Sequence, residues 1–334
     1  MDAYPHLNAL YLSSRLQARL EAAAGYPVTT IVAPTGYGKT TAAQDLRQRI
    51  AAEAPDAHVF RQFLSGGGRQ EFWTGLCRAL HTAPQLAAQL LALGYPDSPH
   101  TRQQLLELVQ DALPEQTPVW FILDDVHLLS GGEAAELVSF LAERLPPQVH
   151  LLLLSRNQIF SPAQKLRLGS RLLELGAAEL RLTREELTQY AELCGLPLPE
   201  KEAQALYAAS EGWIAMIYLI FRVYAQTGAW RFDTKDMNAL IEQVMFEPLG
   251  ERQRLFLLEN CMAEDFTAEQ AAFVWQAPDA DALLHDLTHN NAFITEGAPG
   301  VYRYHHMLRQ LLRRKCAVLP QDQQAAAFPR RGSW

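Results

Sequence analysis

The feature that most constrains this chain is a glycine-containing segment between a β-rich run and a helical stretch. It covers residues 33–41 and reads Ala-Pro-Thr-Gly-Tyr-Gly-Lys-Thr-Thr. The glycines at positions 36 and 38 allow backbone angles and close approaches that side chains would block, so successive amide N–H groups can turn towards one anion. The helix that follows adds the positive end of its dipole. The segment therefore predicts a loop that wraps the phosphates of a nucleotide.

Each residue type in this loop has a predicted task. Lys39 supplies a mobile cation for the terminal phosphates and is a catalytic candidate, and the Thr40 hydroxyl is a ligand for Mg²⁺. Ala33 stands where the usual pattern has its first glycine. We expect ATP or ADP, together with Mg²⁺, as the cofactor. The other predicted nucleotide contacts in the loop are Pro34, Thr35, Gly36, Tyr37, Gly38 and Thr41.

A second element is expected, because the metal needs a carboxylate at the end of a neighbouring strand. The apolar run Val119–Leu123 is followed by Asp124 and Asp125. Asp124 is predicted to hold Mg²⁺, and Asp125 is predicted to be the catalytic residue that orients or deprotonates the attacking water. Two aspartates that only cap a following helix are the structural alternative. His127 is expected to be a loop or packing residue.

A third apolar run, His150–Leu154, ends in Ser-Arg-Asn at positions 155–157. The carboxyl ends of the strands in an open α/β sheet face the crevice in which ligands bind. Arg156 is therefore predicted to belong to the nucleotide site and to sense the terminal phosphate. A surface ion pair is the alternative role for this arginine.

The order of the apolar runs predicts the fold class. Val28–Ala33, Val119–Leu123 and His150–Leu154 are separated by long helical stretches, which is typical of strands buried on both faces of a parallel sheet. We predict an α/β P-loop NTPase fold with helices on both faces of the sheet, and a further strand at Glu179–Leu182. From Thr183 onwards the pattern is helical, since this threonine and the glutamate three residues later match a helix-capping pair.

The C-terminal part has the outline of a winged-helix domain. Short helical segments precede two β-rich runs, Ala292–Thr295 and Val301–Tyr304, which the turn Gly-Ala-Pro-Gly separates. These features predict a β-hairpin after a group of helices. The predicted domains are a P-loop ATPase domain (1–178), a small helical domain (179–232), a winged-helix domain (233–318) and the start of a helical sensor region (319–334).

Composition argues against several other classes of protein. With 37 acidic and 29 basic side chains the net charge is −8, which disfavours binding of a nucleic-acid backbone. No apolar run approaches the roughly 18 residues that span a bilayer, and the N-terminus lacks a secretory signal. We expect a cytoplasmic protein without a membrane partner. We interpret the widely spaced cysteines as buried thiols: Cys77, Cys194, Cys261 and Cys316.

Five motifs, taken in order, resemble the signal-transduction ATPases of the maltose-regulon-activator type. These are large ATP-dependent regulators that usually end in a LuxR-type helix-turn-helix domain. The resemblance covers nearly the whole chain, and a Phe-Trp-Thr-Gly-Leu stretch at 72–76 is also similar to the family's sequence after the second strand. The motifs that carry it are Ala33–Thr41, Leu123–His127, Ser155–Asn157, Glu211–Trp213 and Tyr304–Leu308.

The resemblance implies a switch of three domains in which the winged-helix domain folds back over the nucleotide. On this basis Trp213 would lie beside the nucleotide, and His305 would contact the β-phosphate in an inactive, ADP-bound form. A core tryptophan and a structural histidine are the plainer alternatives. The chain departs from the family at residues 63–68, where an Asp-rich turn is usual, and at His306, where proline is usual.

The favoured function is a regulatory ATPase that exchanges ADP for ATP, opens and self-associates, with slow hydrolysis resetting the switch. A P-loop kinase would need an acceptor site and a closing lid. A DNA-loading or helicase-like ATPase would carry a basic face with aromatic residues, against which the acidic balance argues. Residues 324–334 resemble the start of the family's helical sensor array, so we expect a piece of a longer protein in which DNA binding belongs to another domain.

Overall fold

The protein divides into two compact units in the computed structural model. The first unit is Leu12–Leu182, and the second unit is Thr183–Trp334 together with Met1–Tyr11. The structure describes residues 6–7, 9–33, 36–64, 67–112, 117–129, 132–230, 239, 242, 246–247, 249–263, 265–290, 294–298, 300–304 and 306–318.

The first unit is built on a five-stranded parallel sheet with the strand order β2-β3-β4-β1-β5. Every residue of β3 and β4 is buried, as expected for strands that are covered on both faces. The predicted α/β fold is confirmed. The strands are β1 (Val28–Val32), β2 (His58–Phe63), β3 (Val119–Asp124), β4 (Val149–Ser155) and β5 (Leu172–Gly176).

Helices cover both faces of this sheet. On one face an apolar cluster contains Phe72, Trp73 and Leu137, and on the other face a second cluster contains Leu20 and Leu46. Alternate residues of the strands contribute to the two clusters, because successive side chains of a strand point to opposite faces of the sheet. The helices are α1 (Ser14–Glu21), α2 (Lys39–Glu53), α3 (Arg69–Ala79), α4 (Pro84–Leu93), α5 (Pro99–Ala112), α6 (Glu133–Arg144), α7 (Pro162–Leu168) and α8 (Ala177–Leu180).

The predicted strand at Glu179–Leu182 is wrong. The fifth strand is Leu172–Gly176, and the chain enters the short helix α8 directly after it. The Gly176 N–H donates a 2.8 Å hydrogen bond to the Glu179 carboxylate, which caps the first turn of this helix. A local capping interaction therefore ends the strand before the residues that were expected to form it.

The second unit contains helices and a small antiparallel sheet with the strand order β6-β8-β7. The predicted cap at Thr183 is confirmed, because its hydroxyl accepts from Glu186 N–H at 3.2 Å while the Glu186 carboxylate accepts from Thr183 N–H at 2.8 Å. Its elements are α9 (Arg184–Leu193), α10 (Glu200–Ser210), α11 (Ile214–Thr227), α12 (Glu251–Asn260), β6 (Asp265–Thr267), α13 (Ala268–Trp275), α14 (Ala280–Asn290), β7 (Ile294–Ala298), β8 (Val301–Tyr304) and α15 (His306–Val318).

The predicted C-terminal hairpin is present as β7 and β8. Its first strand extends to Ala298, with an irregular register between Glu296 and Ala298, so the connecting turn is shorter than predicted. Strand β6 adds a third strand that the sequence did not predict, since three residues carry too little periodicity to be recognised. Residues 319–334, the predicted start of a sensor region, lie outside the described residues.

The four cysteines are free and buried, which confirms their interpretation as thiols. The sulfur atoms of Cys261 and Cys316 lie 3.4 Å apart although 55 positions separate these residues. Among the helices that the structure describes, none is both long enough and apolar enough to cross a membrane.

Candidate nucleotide site

The loop between β1 and α2 has the backbone that its glycines predict. Gly36 has a φ of 75° and Gly38 a φ of 80°, in the left-handed region that residues with side chains rarely adopt. Gly38 is the N-cap of α2, so the first amide groups of this helix have no partner within the helix itself. The loop therefore has the backbone form of an anion site. Pro34 and Thr35 lie outside the described residues.

Tyr37 and Thr41 are both half-buried. Tyr37 lies in the loop with the Arg181 guanidinium carbon 5.9 Å from the centre of its ring. Thr41 lies in the first turn of α2. The contact of either side chain with a nucleotide stays a prediction.

Lys39 is the buried cation of this loop. Its side chain folds back so that Nζ donates a 2.8 Å hydrogen bond to the carbonyl oxygen of Ala33. Burial lowers the pKa of Lys39 to about 8, partly opposed by the negative charges of Asp124 and Asp125 and reinforced by the positive charge of Arg156. The predicted cation thus lies among both predicted carboxylates and the predicted arginine.

Asp124 is the last residue of β3 and is almost fully buried. Its Oδ2 accepts a 3.1 Å hydrogen bond from the Thr40 hydroxyl, and its Oδ1 accepts a 3.0 Å hydrogen bond from the backbone N–H of Asp125. The two residues predicted to hold Mg²⁺ are therefore brought together. Hydroxyl and carboxylate oxygens are the ligands that Mg²⁺ prefers, so this pair of side chains fits the metal.

Asp125 has a φ of 62°, a left-handed conformation that is uncommon for a residue other than glycine. Its Oδ1 lies 3.7 Å from Nδ1 of His127. Burial lowers the pKa of His127, and the neighbouring Asp125 charge opposes this shift. His127 was expected to be only a loop or packing residue, but the structure gives it a position beside the predicted catalytic carboxylate.

Arg156 follows β4, which lies between β3 and β1 in the sheet. Its positive charge lowers the pKa of both Lys39 and His127, so it is close enough to act electrostatically on the predicted site. The Ser155 hydroxyl donates to the Asn157 carbonyl at 2.6 Å and accepts from the Asn157 N–H at 3.2 Å. This tight turn defines the path of the backbone at Arg156.

Arg61 belongs to the same site, although no sequence motif marks it. It lies on β2, and its Nη2 is 3.2 Å from Oδ2 of Asp124. The available signal was a charged residue within the β-rich run of residues 58–63. A charge there needs a partner, although the sequence alone does not name that partner.

The geometry of this site does not test the predicted roles of Trp213 and His305. Trp213 belongs to the second unit, where it is the N-cap of α11, is half-buried and packs against the apolar core of that unit. His305 lies outside the described residues. Their participation in a nucleotide site stays a prediction.

Comparison with known families matches two parts of the chain. Residues 23–154 match an AAA domain, and residues 241–326 match the MalT winged helix domain. Two similar relatives are HTH-type transcriptional regulators MalT. That of Klebsiella pneumoniae subsp. pneumoniae is 25% identical over 333 residues, and that of Yersinia pestis (strain Pestoides F) is 26% identical over 336 residues. Each alignment covers 94% of this chain but only 36% of the relative.

A solved structure has the same fold over most of the chain. It is a signal transduction ATPase with numerous domains (STAND) from Pyrococcus horikoshii, which carries a tetratricopeptide repeat sensor. The TM-score is 0.64 at 17% identity, and the match covers 96% of this chain and 44% of that one. The chain is similar to the MalT regulators and has the fold of this STAND protein. The motif-based resemblance and the predicted winged-helix part are thereby confirmed.

A P-loop ATPase fold implies nucleotide binding, usually with Mg²⁺. The similarity to MalT regulators and to a STAND protein supports an ATPase regulatory module. The chain spans about a third of the length of these relatives, with 36% coverage. What a whole regulator senses, binds or assembles with is therefore not carried over from the similarity.

Proposed function

We propose that this chain is the nucleotide-dependent switch module of a MalT-like regulator, which binds ATP or ADP with Mg²⁺ and hydrolyses ATP slowly. The observation that carries the proposal is the 3.1 Å hydrogen bond between the Thr40 hydroxyl and the Asp124 carboxylate. It joins the phosphate loop to the end of β3, which is the pairing that a magnesium nucleotide requires.

Binding rests on the loop and on Lys39. The glycine-containing loop turns amide N–H groups towards the phosphates, and the N-terminus of α2 adds its positive end. Lys39 exchanges the Ala33 carbonyl for phosphate oxygens, which favour its charged form and so offset the burial that lowers its pKa to about 8. Arg156 adds a second positive charge to the site.

Thr40 and Asp124 would hold the metal, which would neutralise charge on the phosphates. Asp125 orients the attacking water and accepts its proton, and its left-handed backbone turns its N–H towards Oδ1 of Asp124. His127 lies 3.7 Å from the Asp125 carboxylate and supports its orientation. These roles assign hydrolysis to residues at the carboxyl end of β3.

The regulatory part of the proposal concerns domain closure. ADP holds the chain in a closed form through Trp213 and His305, and exchange for ATP opens it and permits self-association. The resemblance to STAND proteins supports this step, together with the match to the MalT winged helix domain at residues 241–326. The relatives are named HTH-type transcriptional regulators, which supports a role of this module in transcriptional regulation.

The proposal is tested with the purified chain in two steps. Mass analysis of the nucleotide released by denaturation identifies what the protein carries, and calorimetric titration of the stripped protein measures affinity for ADP and ATP with MgCl₂. Light scattering after gel filtration then compares the ADP and ATP states. We expect tight binding of both nucleotides and a larger mass with ATP. Absence of ADP and ATP binding would contradict the proposal, and equal masses would contradict its self-association step.

A further inference from the structure

The guanidinium of Arg61 is a cation that is hydrogen-bonded to Asp124 in this structure. The exposed fraction of the Arg61 side chain is 11%, and that of Asp124 is 2%. The Arg61 guanidinium carbon also lies 4.2 Å from the centre of the Phe63 ring, which holds it from a second direction. Arg61 is therefore a nearly buried partner of the strand-end carboxylate that contacts Phe63 as well.

Strand register explains how Arg61 reaches this carboxylate. Arg61 pairs with Ile122 of β3, and Phe63 pairs with Asp124. The arginine side chain thus runs along the strands, over a distance of two residues, to the carboxyl edge of the sheet. Arg61 and Phe63 point to the same face of β2, because side chains two residues apart in a strand do so.

Arg61 and the predicted metal use the same carboxylate oxygen. Oδ2 of Asp124 accepts from the Thr40 hydroxyl at 3.1 Å and from Arg61 Nη2 at 3.2 Å, while Oδ1 is taken by the Asp125 N–H. The carboxylate oxygen that accepts from the Thr40 hydroxyl is thus the same one that accepts from the Arg61 guanidinium. A dication at that position and a guanidinium on the same oxygen would repel each other.

We propose that Arg61 is the resident counter-cation of Asp124, and that it has to release Oδ2 before Mg²⁺ can be held there. A buried carboxylate without a partner is costly, so the guanidinium stabilises the metal-free protein. The same contact raises the Mg²⁺ concentration that nucleotide binding requires. Arg61 thus sets the affinity of the site for Mg²⁺, an inference that rests on the proposed function.

The contrasting possibility is a permanent structural ion pair that stays in place when the metal binds. The two possibilities predict different changes in Mg²⁺ affinity when Arg61 is replaced. A competing arginine weakens Mg²⁺ binding, so its removal strengthens it. A permanent partner helps to position Asp124, so its removal leaves Mg²⁺ binding unchanged or weaker.

The test uses the whole chain and the variant Arg61→Met, which keeps an unbranched side chain but removes the charge and the donors. The matched control is Arg49→Met, since Arg49 is ion-paired with Asp45 and Glu21 towards the far end of α2 from the loop. Affinity for ADP is measured by calorimetry across a MgCl₂ series that starts in EDTA. The midpoint is the MgCl₂ concentration that gives half of the full gain in affinity.

We expect Arg61→Met to lower this midpoint roughly tenfold, on the scale of one charge-assisted hydrogen bond, while Arg49→Met keeps the wild-type value. Without nucleotide, Arg61→Met should melt at a lower temperature than wild type in EDTA. Addition of MgCl₂ alone should raise the melting temperature of Arg61→Met more than that of wild type. An unchanged or higher midpoint in Arg61→Met overturns the inference. A wild-type protein that does not bind ADP overturns the proposed function instead.

A second variant keeps the inference testable if Arg61→Met does not fold. Arg61→Lys retains one positive charge but offers a single donor group in place of the planar guanidinium. We expect its MgCl₂ midpoint to fall below that of wild type, and a midpoint equal to or above wild type overturns the inference.

Discussion

The Thr40 hydroxyl donates a 3.1 Å hydrogen bond to Oδ2 of Asp124, although the two residues lie 84 positions apart. Thr40 belongs to the first turn of the helix that follows β1, and Asp124 is the last residue of β3. All five strands of the sheet are parallel, so these two motifs lie at the same edge. This contact brings the separate motifs of the sequence into one candidate site.

Replacement of Lys39 by Ala should abolish detectable binding of ATP and ADP, a loss of at least about 100-fold, because the contact removed is charge-assisted. The fold should survive, since Lys39 lies at the junction of the loop and α2, where its side chain donates to the Ala33 carbonyl. Calorimetric titration with MgCl₂ present measures the effect, and Arg49→Ala serves as a control for loss of a positive charge on α2. Unchanged nucleotide affinity in Lys39→Ala would contradict the assignment.

The two aspartates should give different defects. Asp124→Asn should weaken the metal dependence of nucleotide binding, whereas Asp125→Asn should keep magnesium-nucleotide binding and slow hydrolysis. Asparagine suits position 125, because its φ of 62° lies in a region that Asn tolerates better than most residues. Phosphate release and calorimetry separate the two effects. Wild-type hydrolysis rates in both variants would show that the strand-end assignment is wrong.

ADP should raise the melting temperature of the whole chain if it binds one closed arrangement of the domains. Linkage gives a stabilisation of about 2.7 kcal/mol at a ligand concentration one hundredfold above the dissociation constant. His305→Ala should reduce this gain and leave the ligand-free protein nearly as stable as wild type. Thermal melts with and without saturating ADP test this. An equal gain in both proteins would exclude the switch role of His305.

His150 should make the first unit less stable in mild acid. Its Nδ1 lies 2.9 Å from the Tyr26 carbonyl oxygen and its ring stacks on Trp120 at 4.3 Å. Burial lowers the pKa of His150 below its ordinary value of 6.5, so the folded protein binds fewer protons than the unfolded chain between the two pKa values. The contribution of neutral His150 to the free energy of unfolding is therefore fully present above pH 6.5 and is lost as the pH falls towards the pKa of the folded protein.

Denaturant titrations at pH 7.5 and pH 5.5 check this prediction for His150. We expect the wild-type free energy of unfolding to fall more between these two pH values than that of His150→Phe. Phenylalanine keeps an aromatic ring against Trp120 but does not titrate. Equal losses in the two proteins would assign the acid sensitivity to other groups.

Gly75 should resist replacement by alanine although it lies within α3. A Cβ at this position would be 2.3 Å from Nε2 of Gln62, which donates a 3.0 Å hydrogen bond to the Phe72 carbonyl. Displacing this buried amide costs about 1–3 kcal/mol, which exceeds the gain in helix propensity of at most about 1 kcal/mol. Denaturant titration should show Gly75→Ala to be destabilised and Gly25→Ala, which has open space around it, to be nearly neutral.

Local rules made much of this protein predictable from its sequence. The glycines at 36 and 38 predict the left-handed turns of the loop because few other residues adopt them. The unbroken apolar runs predict β3 and β4, since a strand covered on both faces needs apolar residues at every position. Thr183 predicts the start of α9 because its capping partner is only three residues away. Each of these inferences depends on a pattern that lies within a few residues of sequence.

Only the tertiary structure decided which distant residues meet. The placement of β4 between β1 and β3 brings Arg156 to the site, and the register of β2 against β3 directs Arg61 to Asp124. The strand-end position of Arg156 pointed to the site, but the pairing of Arg61 with Asp124 has no signature in the sequence, because strand order and register follow from how the sheet packs as a whole. The sequence by itself thus determined the chemical groups and their local backbone, whereas packing of the sheet determined which cation Asp124 faces.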